Sequence, residues 1–216
     1  MSIASNISDL KSKLPEEVTL VAVSKTKSIE QILEAYNAGQ RDFGENRVQE
    51  LLPKYEALPK DIRWHLIGHL QTNKVKQIAS FVHLIHSVDS EKLFTEINKE
   101  AAKCNRVIPV LLQIFIAQEE TKFGFSFEEA EVILNSSDKY PNIRIEGLMG
   151  MATNTEDQNQ VRKELKSLKD FFVRVQSKIQ EPRFKILSMG MSSDWGIAVE
   201  EGSNMIRVGS SIFGNR

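Results

Sequence analysis

Leu20-Val21-Ala22-Val23-Ser24-Lys25-Thr26-Lys27 decides the fold. Its apolar half reads as a strand buried on both faces, the form strands take in a parallel sheet covered by helices. The residues just after the strand separate the two architectures built from such strands. An open doubly wound sheet usually carries a glycine-rich turn after its first strand, to receive a dinucleotide. Ser24-Lys25-Thr26-Lys27 contains no glycine. A closed (β/α)8 barrel has no such requirement and collects its active groups at the C-terminal ends of its strands, where Lys25 stands.

Outward from this stretch the chain repeats one alternation. Apolar or β-branched runs fall at residues 19–24, 41–43, 64–68, 84–88, 108–116, 143–149, 184–188 and 205–208. Between them lie segments of helical period. Ile29, Ile32, Leu33 and Tyr36 make one apolar face that stops at Gly39. Phe94, Ile97, Ala101 and Cys104 make another behind Ser90 as N-cap, and Val161, Leu165, Leu168, Phe172, Val175 and Ile179 a third within residues 157–180. Eight units in 216 residues leave about 27 residues each, close to the roughly 30 that a βαβ crossover takes. The expected fold is α/β, a single (β/α)8 TIM barrel over residues 1–216. Ile3, Ile7, Leu10 and Leu14 add an amphipathic N-terminal helix, which argues against a signal peptide.

Composition sets the broad class. Lys and Arg number 28 against 29 Asp and Glu, so no basic field points to nucleic acid or an anionic membrane. Apolar residues make up 41% of the chain, enough for a sizeable core, and no run is long enough to span a bilayer. The single cysteine, Cys104, excludes a disulfide framework and fits a reducing compartment. The expected location is cytoplasmic. His65, His69, His83 and His86 show no His-x-x-x-His on a helix, so no metal site is read.

The chemistry belongs at the strand ends. Lys25, at the mouth of strand one, loses part of its hydration there, which frees the neutral amine as a nucleophile toward carbonyls. Lys27 is the less constrained alternative. Strand two ends in Phe43-Gly44-Glu45-Asn46, where local sequence favours Asn46 as the cap of the next helix over a ligand contact. His65 alternates with Trp64 and Leu66, and a strand histidine is more often a hydrogen-bonded core residue than a catalyst. After strands seven and eight, Ser188-Met189-Gly190-Met191-Ser192-Ser193-Asp194 and Arg207-Val208-Gly209-Ser210-Ser211 form small-residue turns. In barrels the loops after these two strands frequently hold phosphate. A lysine at strand one with two such turns points to a phosphorylated carbonyl compound. Pyridoxal 5′-phosphate (PLP) satisfies both requirements.

Val21-Ala22-Val23-Ser24-Lys25-Thr26-Lys27, Phe43-Gly44-Glu45-Asn46, Trp64-His65-Leu66-Ile67-Gly68, Leu70-Gln71-Thr72-Asn73-Lys74, Gly147-Leu148-Met149, Met189-Gly190-Met191-Ser192-Ser193-Asp194 and Arg207-Val208-Gly209 through Phe213-Gly214 occur in that order. Together they closely resemble the pyridoxal phosphate homeostasis proteins. The resemblance implies a barrel of the alanine racemase N-terminal type, fold-type III among PLP proteins, with the Schiff base on Lys25. It implies phosphate contacts from Ser192, Ser193, Gly209 and Ser210, Arg207 near the pyridine nitrogen, and Asn46 and Met191 lining the cofactor. It further implies a monomeric carrier or regulator of PLP, with hand-over to PLP-dependent apo-enzymes and no established turnover. An arginine facing the ring nitrogen opposes its protonation and weakens the ring as an electron sink. Racemases of this fold add a second β-domain and a tyrosine from the partner subunit. Tyr36, Tyr55 and Tyr140 are expected on helices or loops away from the strand mouths, and the chain closes soon after strand eight. The rivals are a weak PLP-dependent racemase using Lys25 and His65 as bases, and an aldolase or isomerase using Lys25 on a sugar phosphate.

Overall fold

The computed structural model describes residues 2–118, 123–179 and 182–214. Eight parallel strands close on themselves in chain order: β1 (Thr19–Val23), β2 (Asp42–Glu45), β3 (Arg63–Leu66), β4 (Leu84–Val88), β5 (Ile108–Ile114), β6 (Ile143–Gly150), β7 (Ile186–Ser188) and β8 (Met205–Val208). The last pairing, Thr19 to Met205 through Ala22 to Val208, seals the barrel. The (β/α)8 expectation is met. Where strand ends shift they do so by one or two residues: β2 runs on to Glu45 and β7 starts only at Ile186.

Helices α1 (Ile3–Ser12), α2 (Ile29–Asn37), α3 (Val48–Ala57), α4 (Val75–Ile78), α5 (Glu91–Lys103), α6 (Phe127–Asn135), α7 (Gln158–Gln176), α8 (Trp195–Glu200) and α9 (Ser210–Phe213) alternate with the strands. Their starts follow from local chemistry. Ser28 and Gln31 form a capping box on α2, Ser126 and Glu129 another on α6, and Ser90 and Asp157 cap α5 and α7 with their side chains. Gly39, at φ +88°, ends the α2 segment as expected. The third apolar face lies on α7, which stops at Gln176; residue 180 lies outside the described residues. Among the described residues no helix is long and apolar enough to cross a membrane.

Strand residues divide by parity. One set packs outward into a continuous strand–helix core that holds Phe43, Trp64, Leu66, Ile85, Phe94 and Leu148. The other faces the barrel interior, where Val21, Leu84, Leu111, Met149 and Met205 form a separate apolar cluster. Barrel interiors are dominated by bulky branched residues. This one also buries His65, His86, Gln113, Ser188 and Arg207, each 5% exposed or less. So many polar groups inside a barrel need an account of their partners.

Candidate functional site

The parallel topology brings the ends of β1, β2, β7 and β8 to one mouth. Lys25 leaves β1 there, half-buried. The next residue, Thr26, has φ +62°, a left-handed backbone that is uncommon for a β-branched side chain. Its N–H donates to Glu50 Oε2 on α3 at 2.7 Å, a bond that offsets the strain. Strained backbone of this kind clusters at functional sites. Lys27 turns away: its Nζ donates to the carbonyl of Gly214 at 3.2 Å, behind α9. Of the two lysines, Lys25 is the one without such an engagement among the described residues.

Beneath Lys25 lies a buried ion pair that sequence reading missed. Glu45 is fully buried, and its Oε1 accepts from Ser24 Oγ at 2.6 Å and from Lys54 Nζ at 2.7 Å. Lys54 reaches in from α3 and also donates to the Ser24 carbonyl at 2.8 Å, pinning the backbone just before Lys25. Burial raises the Glu45 pKa against the opposing pull of Lys54 and Ser24. Its Oε2 has no partner among the described residues. The available signal was a glutamate inside an apolar strand end.

Asn46 corrects the local expectation. It does not cap α3: Arg47 occupies that position, with no side-chain cap bond. The reason is the longer β2, which carries Asn46 to the barrel mouth against Gly68, where a Cβ on residue 68 would stand 2.4 Å from the Asn46 carbonyl oxygen. There the Asn46 Oδ1 is buried without a partner among the described residues. Such an atom costs about 1–3 kcal/mol.

The turns after β7 and β8 meet. Gly190 opens the first at φ +94°, where a Cβ would come 2.6 Å from that of Ala198, so the tight approach of α8 requires glycine. Asp194 Oδ1 accepts from the Met191 N–H at 2.6 Å and shapes the turn. The Gly209 N–H donates to Ser192 Oγ at 3.3 Å, tying the two turns together. Among the described residues no acceptor meets the N–H groups of Ser192, Ser193, Ser210 and Ser211. These donors and hydroxyls form an arrangement suited to a phosphate dianion. Met191 and Ser193 line a cavity of about 300 Å³ with Ala152, Thr153 and Ile197.

Arg207 lies inside the barrel, 4% exposed. Its Nη1 donates to Ser188 Oγ at 2.6 Å and its Nη2 to the Gly150 carbonyl at 3.0 Å, two of the five donors a guanidinium carries. Burial, countered in part by Asp194, draws its pKa down to about 10, so it stays cationic at neutral pH. Ser188 Oγ lies 3.1 Å from His86 Nδ1, His86 Nε2 lies 2.9 Å from His65 Nδ1, and His65 Nε2 lies 3.0 Å from Asp42 Oδ1. His65 is thus a buried hydrogen-bonded residue, as expected. Burial would raise the Asp42 carboxyl, but hydrogen bonds from Arg63 and His65 outweigh it and hold the group well below the usual carboxylate range. Donor atoms of Asp42, His65 and His83 lie within 4.8 Å of one another, a grouping invisible in the sequence because three separate segments supply it. Arg63 Nε and Nη2 pair both Asp42 oxygens, at 2.7 and 2.5 Å.

Acid lability is a property of this interior. Burial, reinforced by His65 and Arg207, keeps the His86 pKa well below that of a free imidazole. Below about pH 6.5 the unfolded chain therefore binds a proton that the folded chain refuses, and stability falls with pH at up to about 1.4 kcal/mol per unit from this ring. Asp42 extends the loss below about pH 4. A urea midpoint constant from pH 7 to pH 5 would refute this.

The alanine racemase N-terminal domain family matches residues 1–216. A pyridoxal phosphate homeostasis protein of Aquifex aeolicus is 43% identical over 201 residues, covering 91% of this chain and 86% of that protein. The chain belongs to the pyridoxal phosphate homeostasis protein family. The Escherichia coli member is 33% identical and covers 99% of this chain and 97% of its own. PipY of Synechococcus elongatus, solved without PLP, superposes on this family member with a TM-score of 0.94 at 37% identity, over 99% of this chain and 100% of that one. PipY with PLP bound gives 0.90 at the same identity and coverage. An alanine racemase from E. faecalis, at 19% identity and a TM-score of 0.78, shares the fold over 58% of its length.

Proposed function

We propose that this chain holds PLP as a Schiff base on Lys25 and so contributes to intracellular PLP homeostasis, handing the cofactor to PLP-dependent apo-enzymes. The observation that carries the reading is the convergence at one mouth of a half-buried lysine and two tied turns, the lysine unengaged and four turn N–H groups unpaired among the described residues. Bound there, PLP supplies an aldehyde that a lysine amine can capture reversibly. Ser192, Ser193, Gly209 and Ser210 hold the phosphate. Arg207 faces the ring nitrogen, and Asn46 and Met191 line the ring. Glu45 and Lys54 hold the backbone from which Lys25 projects. The solved PipY complex with PLP supports the binding, and the relatives named homeostasis proteins support a carrier over an enzyme.

The racemase reading gains little. The described tyrosines are engaged in the outer layer: Tyr36 bonds Asp61, Tyr55 stacks on Phe81 and Tyr140 bonds Glu91. His65, its other base, is bonded on both ring nitrogens inside the barrel.

The test is a visible spectrum of the protein incubated with PLP, then borohydride reduction and peptide mass mapping. A phosphopyridoxyl group on Lys25 is expected. A colourless, unlabelled protein would sink the proposal, and a label on Lys27 would move the attachment. Ser192→Asp sets a carboxylate against the phosphate and is expected to raise the PLP Kd at least tenfold, about 1.4 kcal/mol. Unchanged affinity in equilibrium dialysis would move the phosphate site elsewhere.

A further inference from the structure

The buried polar line inside the barrel starts at Asp42, the first residue of β2, and ends at Arg207, beside the last residue of β7. Its members come from strands β2, β3, β4, β7 and β8, and it joins opposite ends of the barrel. Its ends have fixed roles. A guanidinium only donates, and an ionised carboxylate only accepts. With both rings neutral, these two constraints order every proton between them. Asp42 Oδ1 accepts, so His65 carries its hydrogen on Nε2 and accepts at Nδ1. His86 must then donate from Nε2 and accept at Nδ1. Ser188 therefore donates its hydroxyl hydrogen to His86 and accepts from Arg207. No contact in the line is left with two donors or two acceptors.

A second proton on His65 changes all of this. Its Nδ1 then donates, and His86 accepts at Nε2 and moves its own hydrogen to Nδ1. Ser188 then receives hydrogen bonds from both His86 and Arg207, and its own hydroxyl hydrogen turns away from His86. One proton gained at the Asp42 end thus reverses the dipoles at the Arg207 end, with no net movement of heavy atoms. We propose that Asp42, His65, His86 and Ser188 are positioning residues for Arg207, and that their common proton order couples the field at the cofactor ring to a proton taken up at the far end of the barrel. The second half rests on Arg207 facing the ring, as in the proposed function. His86 stays neutral in both states, in keeping with its burial. Several groups bias the His65 proton. Asp42 on β2 favours it. Arg63 on β3 and His83 before β4, its ring centre 5.3 Å away, oppose it when charged, while Arg106 and Arg207 act on the neighbouring rings of His83 and His86.

Long-range proton–nitrogen correlation spectra of the histidine rings in the 15N-labelled apo-protein, recorded across the pH range in which it stays folded, read the tautomers directly. Both His65 and His86 are expected with hydrogen on Nε2 at high pH. His86 is expected to switch to Nδ1 with the same midpoint at which His65 gains its second proton. A His86 ring that keeps one tautomer throughout, or starts with hydrogen on Nδ1, overturns the proton order. In Asp42→Asn, which keeps the acceptor oxygen and removes the charge, the switch is expected at least one pH unit lower, and an unmoved midpoint counts against the line. In the PLP-loaded protein the visible spectrum is expected to titrate with the His86 switch, and Ser188→Ala to flatten that titration while PLP stays bound. A flat spectrum in the parent overturns the coupling. Failure to bind PLP would instead defeat the functional reading and leave the tautomer result standing.

Discussion

Lys25→Ala is expected to abolish both the visible Schiff-base absorbance of the PLP-loaded protein and the borohydride-fixed adduct, and to leave the fold in place. Both halves of this expectation rest on the environment of the residue. Lys25 is half-buried at the strand mouth and engages no described neighbour, so its truncation removes no core contact. A change of this kind alters stability by about 0.5 kcal/mol or less, about 2 °C or less in Tm for a chain of this size. The backbone beneath it is held independently, by Lys54 on the Ser24 carbonyl and Glu50 on the Thr26 N–H. Circular dichroism melts and absorbance spectra of the same preparation check the two halves. A full Schiff-base signal in the variant would show that another lysine is the attachment point. A collapse in Tm would show that Lys25 carries structure as well.

Gly147→Ala is expected to cost the most stability of any conservative change in the barrel. Gly147 sits inside β6 at φ +154°, and a Cβ there would lie 1.8 Å from the Ile186 carbonyl oxygen. That oxygen belongs to the paired strand β7, in register with Gly147 itself. Backbone cannot rotate away as a side chain can, so β6 and β7 must part. Overpacking costs about 1–3 kcal/mol and backbone strain about 1–3 more, together a fall in Tm of roughly 5–20 °C. Gly39→Ala is the control: its φ is +88°, but a Cβ there meets nothing within 4 Å, so only the conformational cost remains. Equal melting temperatures for Gly147→Ala and the parent would mean that the β6–β7 contact is looser than the fold requires.

The barrel was legible because parallel strands covered by helices are written as apolar runs, and helices as faces of period 3.6. Lys25 and the two serine–glycine turns were legible because each stands at a strand end. Other features were hidden for identifiable reasons. The Glu45–Lys54 pair was hidden because nothing local says that each buries the other. Asn46 has the composition of a helix cap, and only the longer β2 and the close approach of Gly68 turn it into a mouth residue. Phe184 extends an apolar run but stacks on Phe172 of α7 instead of joining β7. Asp42, His65 and His86 come from three strands, so their hydrogen bonds exist only once those strands pair.

Closure has a further consequence, for synthesis. The strand that carries Lys25 is completed on one edge by β8, which lies more than four-fifths of the way along the chain. A ribosome adds roughly 5–20 residues per second. For many seconds the first strand therefore stands outside the exit tunnel with an unpaired edge of Thr19 to Val23. Thr19 and Leu20 gain their partners only when Met205 and Ile206 arrive. Exposed edges of this kind invite pairing with other chains. The α1 helix is made before any strand and docks its Asn6 on the Ile212 carbonyl of α9, so it too waits for the far end. Lys25 thus leaves the ribosome well before its surroundings are complete.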